Sequence, residues 1–175
     1  MMRLLCTLSI AAALAATSLT PIAAQAPTAP ATGTAAKPAM PAAKKTGAAG
    51  RTVELSGGDD MKYSGTAIEA KRGETLHVVL KSTGTVPKIA MAHNFVALKA
   101  GVDAAKFTQD AMTARETDYV PAARKADILA STKLAGPGET VEVTFKAPAK
   151  AGVYPYMCTF PGHYAAGMRG DLTVK

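Results

Sequence analysis

The sequence contains no tryptophan, only two cysteines and few charged side chains, and each scarcity excludes a class of protein. Two cysteines cannot build a disulfide-rich scaffold or a four-cysteine zinc site. Charged residues make up 19% of the 175 residues, and no run of like charge is longer than two, so a long acidic or basic tail is excluded. The fold must therefore be held together by packing, and the length suits one domain with tails.

The first 50 residues contain two predicted segments outside the folded domain. Residues 1–24 have a short positive start, an apolar run and small residues at the end, the layout of a secretory signal peptide cleaved after Ala24. An uncleaved membrane anchor is the alternative, although the apolar run is short for a span of about 20 residues. Residues 25–50 are rich in alanine and proline and lack aromatic side chains, which predicts a disordered linker. We therefore expect a periplasmic protein with no membrane span in its mature form.

Residues 51–175 are predicted to form the folded domain. Their 16 Lys+Arg and 13 Asp+Glu leave a net charge of +3, and no basic stripe is interleaved with aromatics, so nucleic acid is not an expected partner. Apolar and polar residues alternate in short segments between turn-forming clusters, which indicates an antiparallel sandwich or barrel. The predicted strands cover 52–55, 76–80, 140–145 and 171–175. Residues 102–123 break this rhythm and are predicted to include a helix.

Soft metal-ligating side chains are concentrated near the C-terminus. Cys158 is followed after four residues by His163, and after four more by Met168, while His93 lies far upstream. A thiolate, two imidazoles and a thioether are the mixed donor set that suits copper cycling between Cu(I) and Cu(II). Taken singly, the cysteine is as well explained as a small buried hydrophobic residue as by a role as a ligand. The methionine alone is better explained as a residue that fills the core. A Cys-His nucleophile pair is a further alternative, but the sequence offers no orienting carboxylate for it.

These motifs resemble those of the azurins, in the cupredoxin superfamily. The resemblance covers about residues 53–175 and is carried by Met-Ala-His-Asn-Phe-Val at 91–96, Cys-Thr-Phe-Pro-Gly-His at 158–163, and Met168. It implies an all-β fold, an eight-stranded Greek-key cupredoxin β-sandwich with a short inserted helix. It also implies a type 1 blue copper protein, with one copper per domain, that carries single electrons and is not an enzyme. A periplasmic copper-binding or copper-delivery protein is the alternative.

The resemblance also assigns roles to individual residues. It makes His93, Cys158 and His163 the trigonal copper ligands, Met168 the long axial ligand and the Ala92 carbonyl a weak contact opposite. Asn94 is expected to tie the two ligand loops together. An apolar patch around an exposed edge of His163 is expected to dock redox proteins such as a c-type cytochrome or a periplasmic reductase, and its residues are Val86, Met91, Met112, Pro161 and Gly162.

Two departures from the azurin pattern concern geometry and stability. Azurins usually have glycine before the first histidine ligand, where this chain has Ala92. They commonly carry a disulfide that joins the first strand region to a point near Gly73. This domain has no cysteine at either place. Neither departure removes a predicted ligand.

Overall fold

The computed structural model describes residues 50–175. The predicted signal peptide and nearly all of the predicted linker lie outside these residues, so both stay predictions. Within the described part of the chain, no helix is long and apolar enough to cross a membrane.

Eight strands form two sheets, as the resemblance implies for a sandwich. One sheet has three strands in the order β1-β3-β6, and the other has five in the order β2-β8-β7-β4-β5. The strands are β1 Arg51–Gly57, β2 Ala67–Ala70, β3 Thr75–Ser82, β4 Val96–Leu98, β5 Ile128–Ser131, β6 Thr140–Lys146, β7 Gly152–Met157 and β8 Arg169–Val174.

Alternating side chains of the strands build the core between the sheets. In β3, Leu76, Val78 and Leu80 are fully buried while the residues between them are more exposed. The cluster continues onto the other sheet through Tyr156 and Leu172, both inaccessible to solvent. Period-two alternation with one face buried is what a strand of a two-layer sandwich requires.

The four predicted strands are found as β1, β3, β6 and β8, and the antiparallel pairing expected of the sandwich is found in four of the six strand pairs. β1 pairs with β3 in parallel and β2 pairs with β8 in parallel, while β3–β6, β4–β5, β4–β7 and β7–β8 are antiparallel. The parallel pairs arise because β1 and β2 each pair with a strand that does not follow them through a tight turn.

The predicted helical segment folds as three short pieces. The α-helix α1, Ala104–Ala111, is capped by Asp103, whose side chain accepts a hydrogen bond from the Lys106 amide at 3.0 Å. Two 3-10 helices follow at Arg115–Thr117 and Ala122–Asp127. The chain leaves the helical path between them, where Asp118 and Tyr119 adopt positive φ values of 56° and 58°.

At one end of the five-stranded sheet, the ends of neighbouring strands bring distant parts of the sequence together. β7 ends at Met157, directly before Cys158, and Val96 at the start of β4 pairs with Met157. His93 lies three residues before β4 and forms an isolated bridge with Ala135. The one-turn helix α2, His163–Ala166, and the start of β8 complete this region.

Candidate metal centre

Three predicted ligands, His93, Cys158 and His163, come together in a buried group. Their ligand atoms all lie within 4.8 Å of one another, and the Cys158 Sγ is 3.4 Å from the His163 Nδ1. His93 and Cys158 have no solvent-accessible surface and His163 is 1% exposed. The expectation that one edge of the His163 ring is exposed is therefore wrong, because Phe160 packs on it with ring centroids 4.8 Å apart.

The His93 ring is the clearest sign that this group binds a metal. Neither of its nitrogens finds a hydrogen-bond partner among residues 50–175, although both are buried. A buried polar atom without a partner costs roughly 1–3 kcal/mol, so native proteins retain few of them without a reason. A metal ion bound by one ring nitrogen would supply that partner. A thiol and two imidazoles suit copper and zinc, and the adjacent thioether favours copper.

Burial favours the uncharged form of each member of the group, so it raises the pKa of the thiol and lowers the pKa of both imidazoles. Desolvation raises the pKa of the Cys158 thiol to about 12, although the backbone amides of Asn94 and Phe160 act in the opposite direction. Desolvation lowers the pKa of His163 to about 4, and the neighbouring His93 adds to this effect. The pKa of His93 is lowered by burial, against the opposing influence of Asp59 and Asp60. Two neutral imidazoles can thus offer lone pairs at neutral pH, and a bound cation would favour the thiolate.

Met168 lies beside the same group and is completely buried. A Cβ atom built on Gly57 would be 2.4 Å from the Met168 Cε and 3.2 Å from the His93 Cγ. The thioether and the imidazole therefore lie side by side against the backbone of Gly57. The Ala92 carbonyl oxygen is 3.9 Å from the Cys158 Sγ.

Asn94 connects the two loops that carry the group. Its Oδ1 accepts a hydrogen bond from the Thr159 amide at 2.9 Å. Its Nδ2 donates to the Asp118 carbonyl at 2.9 Å and to the Thr159 hydroxyl at 2.8 Å. Because Asn94 and Thr159 each directly follow a member of the group, these bonds fix the spacing between the loops.

The predicted docking residues occupy two parts of this surface. Met112, Pro161 and Gly162 line one cavity of about 390 Å³ between α1 and the loop from Cys158 to Met168. Met112 is 58% exposed. Val86 and Met91 lie half-buried in the loop that precedes His93, and they do not line that cavity.

Some residues around the group had no role in the sequence-based prediction. Thr159 belongs to the quoted motif, and its position beside Cys158 is a signal that could have pointed to it. Asp118 contacts Asn94 through its carbonyl oxygen alone, so its side-chain identity carries no signal. Gly57 packs beside the group, and Lys62 and Tyr63 contact the loops that carry it; sequence alone marked only Gly57, as part of a turn.

Residues 50–175 match the family described as copper binding proteins, plastocyanin/azurin family. The chain belongs to this family. Copper is accordingly its cofactor, and the group of His93, Cys158 and His163 is the place in the described structure that can bind it.

Similarities to individual proteins agree with this family assignment. The chain is 38% identical to azurin from Pseudomonas denitrificans over 130 residues, covering 71% of this chain and 98% of that protein. It is 40% identical to the outer membrane protein H.8 of Neisseria meningitidis serogroup B, covering 70% of this chain and 66% of that protein. The solved structure of auracyanin A, titled a "blue" copper protein from Chloroflexus aurantiacus, superposes with a TM-score of 0.63 at 36% identity, over 71% of this chain and 98% of that one. The all-β cupredoxin fold with eight strands and a short inserted helix is thereby confirmed.

Proposed function

We propose that this chain is an exported electron carrier and not an enzyme. Copper supplies a one-electron Cu(II)/Cu(I) couple when bound. The observation that supports this function is the enclosure of His93, Cys158 and His163, whose side chains are at most 1% exposed. A centre that admits no substrate can exchange electrons with a partner but has no room for bond chemistry.

The chain's own residues hold the centre in a fixed geometry. His93, Cys158 and His163 would hold the copper, with Met168 adding a weak thioether contact and the Ala92 carbonyl a weak oxygen contact. Asn94 keeps the two ligand loops in place through its hydrogen bonds to Thr159. Ligand side chains that are buried, on loops that are tied together before the metal binds, should move little between oxidation states, which favours fast electron transfer.

Copper delivery is the less favoured function. A delivery protein must release its metal, which requires donors that solvent or a partner can reach. Here the donors are buried, and the Phe160 ring covers His163. Slow copper release to a strong chelator, together with reversible voltammetry, is the expected behaviour of a carrier.

The location and the partners belong to the same proposal. The signal-peptide pattern of residues 1–24 supports export to the periplasm, and the similarity to a protein named for the outer membrane agrees with export. The apolar cavity beside Met112, Pro161 and Gly162 supports brief docking of a redox protein. A c-type cytochrome or a periplasmic reductase is the proposed class of partner.

An absorption spectrum tests the proposed function directly. Cu(II) added to the purified metal-free domain is expected to produce an intense blue thiolate-to-copper band. A Cys158→Ser variant should stay folded by circular dichroism and lose the colour, because it removes the thiolate. A colourless parent, or a blue Ser variant, would contradict the assignment.

A further inference from the structure

The segment between β1 and β2 contributes no copper ligand, yet it contacts both ligand loops. It follows Gly57, the last residue of β1, where a side chain would collide with Met168 and crowd the His93 ring. The Gly57 carbonyl also accepts hydrogen bonds from the amide and the hydroxyl of Thr83, at 2.8 Å and 3.2 Å. The end of β1 is thus fixed against the centre.

Tyr63 connects this segment to the loop that carries His93. Its hydroxyl donates a hydrogen bond of 2.6 Å to the Asn94 carbonyl, one residue after the histidine. The Tyr63 side chain is buried and its ring lies 5.7 Å from that of Tyr156 in the core. The phenol is therefore a rigid support behind the first ligand loop.

Lys62 connects the same segment to the other ligand loop. Its ammonium donates to the carbonyl of Ala166, the last residue of α2, two residues before Met168. A Cβ atom on Gly167 would lie 2.6 Å from the Lys62 Nζ, so the ammonium fills the space beside that glycine. No carboxylate forms an ion pair with Lys62 within residues 50–175. A cation at the C-terminal end of a helical turn is favourable because the carbonyls there are unsatisfied.

The backbone of the segment is forced into the path that makes both contacts possible. Met61 adopts a φ of 55°, a left-handed conformation that is unfavourable for a residue with a side chain. Its amide donates to the Gly58 carbonyl at 3.0 Å. The following two side chains then separate, the exposed Lys62 toward α2 and the buried Tyr63 toward Asn94.

We propose that Lys62 and Tyr63 are positioning residues that together clamp the two ligand loops at a fixed spacing around the copper centre. Tyr63 holds the His93 loop and Lys62 holds the end of the loop that bears Met168. This inference rests on the proposed ligand set, but the clamp is a property of the polypeptide and exists without metal. Loss of either contact loosens one loop and leaves the other in place.

Hydrogen exchange of the metal-free protein tests the clamp one loop at a time. In a Lys62→Met variant, the amides of Gly167 and Met168 are expected to exchange about three- to tenfold faster, the effect of losing one hydrogen bond. These amides donate to Tyr164 and His163 carbonyls in the same loop. In a Tyr63→Phe variant, faster exchange is expected instead at the His93 and Ala135 amides, which bond to each other's carbonyls.

Matched controls separate positioning from general destabilisation. Lys150→Met makes the same change before β7, at the strand end opposite Cys158, and should leave all four amides unchanged. Lys62→Arg keeps a cationic donor and should restore slow exchange at Gly167 and Met168. Equal exchange in Lys62→Met and Lys150→Met, or equal acceleration of both loops in either variant, would overturn the clamp.

Voltammetry of the copper-loaded variants gives a second readout and separates the two proposals. Lys62→Met should remain blue but shift to a lower reduction potential, because a fixed positive charge favours the less positive Cu(I). The potential should be unchanged in Lys150→Met and restored in Lys62→Arg. An unshifted potential in Lys62→Met would overturn the role at the centre. If the parent stays colourless with copper but the Lys62→Met and Tyr63→Phe variants each accelerate amide exchange in one loop only, the electron-carrier function is refuted and the clamp is retained.

Discussion

His163 combines burial with a strongly lowered pKa, and this combination has a consequence for the metal-free protein. Its pKa is about 4 in the folded state, against an ordinary value of 6.5. Between these values the unfolded chain binds a proton that the folded chain refuses, so lowering the pH favours unfolding. The metal-free domain should therefore lose stability on the order of 2 kcal/mol as the pH falls from 6.5 to 4.

Urea unfolding at several pH values measures this loss. The copper-loaded protein should show a dependence at least as steep, since a metal-bound imidazole nitrogen takes up no proton in the folded state, while the unfolded chain still does. A His163→Gln variant without metal should be less sensitive to pH than the parent. If parent and variant lose stability equally over this range, His163 is not the group responsible.

Met168 offers a separate prediction at the residue scale. As the proposed axial donor, the weak thioether of Met168 should tune the reduction potential more than the affinity for copper. Met168→Gln should keep the copper and the blue colour but lower the potential, because an oxygen donor favours Cu(II). The measurement is a voltammogram of the copper-loaded variant beside the parent, and an identical potential would mean that Met168 is not axial.

The candidate donors could be found from sequence because cysteine, histidine and methionine rarely occur together in this spacing. Cys158, His163 and Met168 lie within eleven residues. The cover over His163 could not be predicted, since the orientation of the Phe160 ring depends on packing that no local pattern specifies. The contact of Gly57 with Met168 joins residues more than 100 positions apart, and a glycine carries no side-chain signal.

At the scale of elements, α1 supports the docking cavity without contributing a predicted ligand. Asp103 caps its N-terminus, and Phe107 anchors it in a second core cluster with Val96, Leu98 and Met157. Removing the cap with Asp103→Ala should lower the free energy of unfolding by about 1 kcal/mol. The blue spectrum should be unaltered because the helix lies outside the ligand loops.

Urea unfolding of the copper-free variant measures this effect of the cap. Gln109→Ala, in the exposed part of the same helix, is the matched control and should change stability little. A loss of colour in Asp103→Ala would show instead that α1 positions the ligands.

Strand prediction depended on how each strand is buried. β3 alternates between buried and more exposed positions, β6 alternates between half-buried and exposed ones, and both were found from that pattern. All three residues of β4, Val96–Leu98, are buried, so it has no alternation to detect. β2 and β5 have four residues each, too few for a clear period. The helical segment 102–123 was predicted, but its breaks at Asp118 and Tyr119 depend on left-handed backbone that tertiary contacts impose.

At the scale of the whole molecule, the small net charge of the domain limits long-range steering. A charge of +3 spread over residues 51–175 attracts or repels a partner weakly at physiological salt, where electrostatic fields decay within about 8 Å. Electron exchange should therefore depend on close contact between apolar surfaces. Because His163 is 1% exposed, the approaching protein must reach it through the residues that cover and surround it.

Met91→Lys tests whether the predicted patch is that contact surface. A lysine there introduces a hydrated ammonium that docking must either desolvate or hold away from the partner, and both are unfavourable. In self-exchange the two patches face each other, so the new charges also repel. We expect an unaltered blue spectrum and electron self-exchange slower by about tenfold or more at low salt, equivalent to roughly 1.4 kcal/mol, with partial recovery at high salt as the repulsion is screened.

NMR line broadening in mixtures of oxidised and reduced protein measures this exchange at two ionic strengths. Val153→Lys is the matched control: Val153 is a 54% exposed apolar residue near the start of β7, at the strand end opposite Cys158. The control adds the same charge to the molecule but not to the patch, so only a general charge effect could slow its exchange. Slower exchange in Met91→Lys alone would assign the contact to the patch. Equal rates in the parent and Met91→Lys at low salt would instead move docking to another surface and leave the copper ligands unaffected, because neither substitution touches a predicted donor.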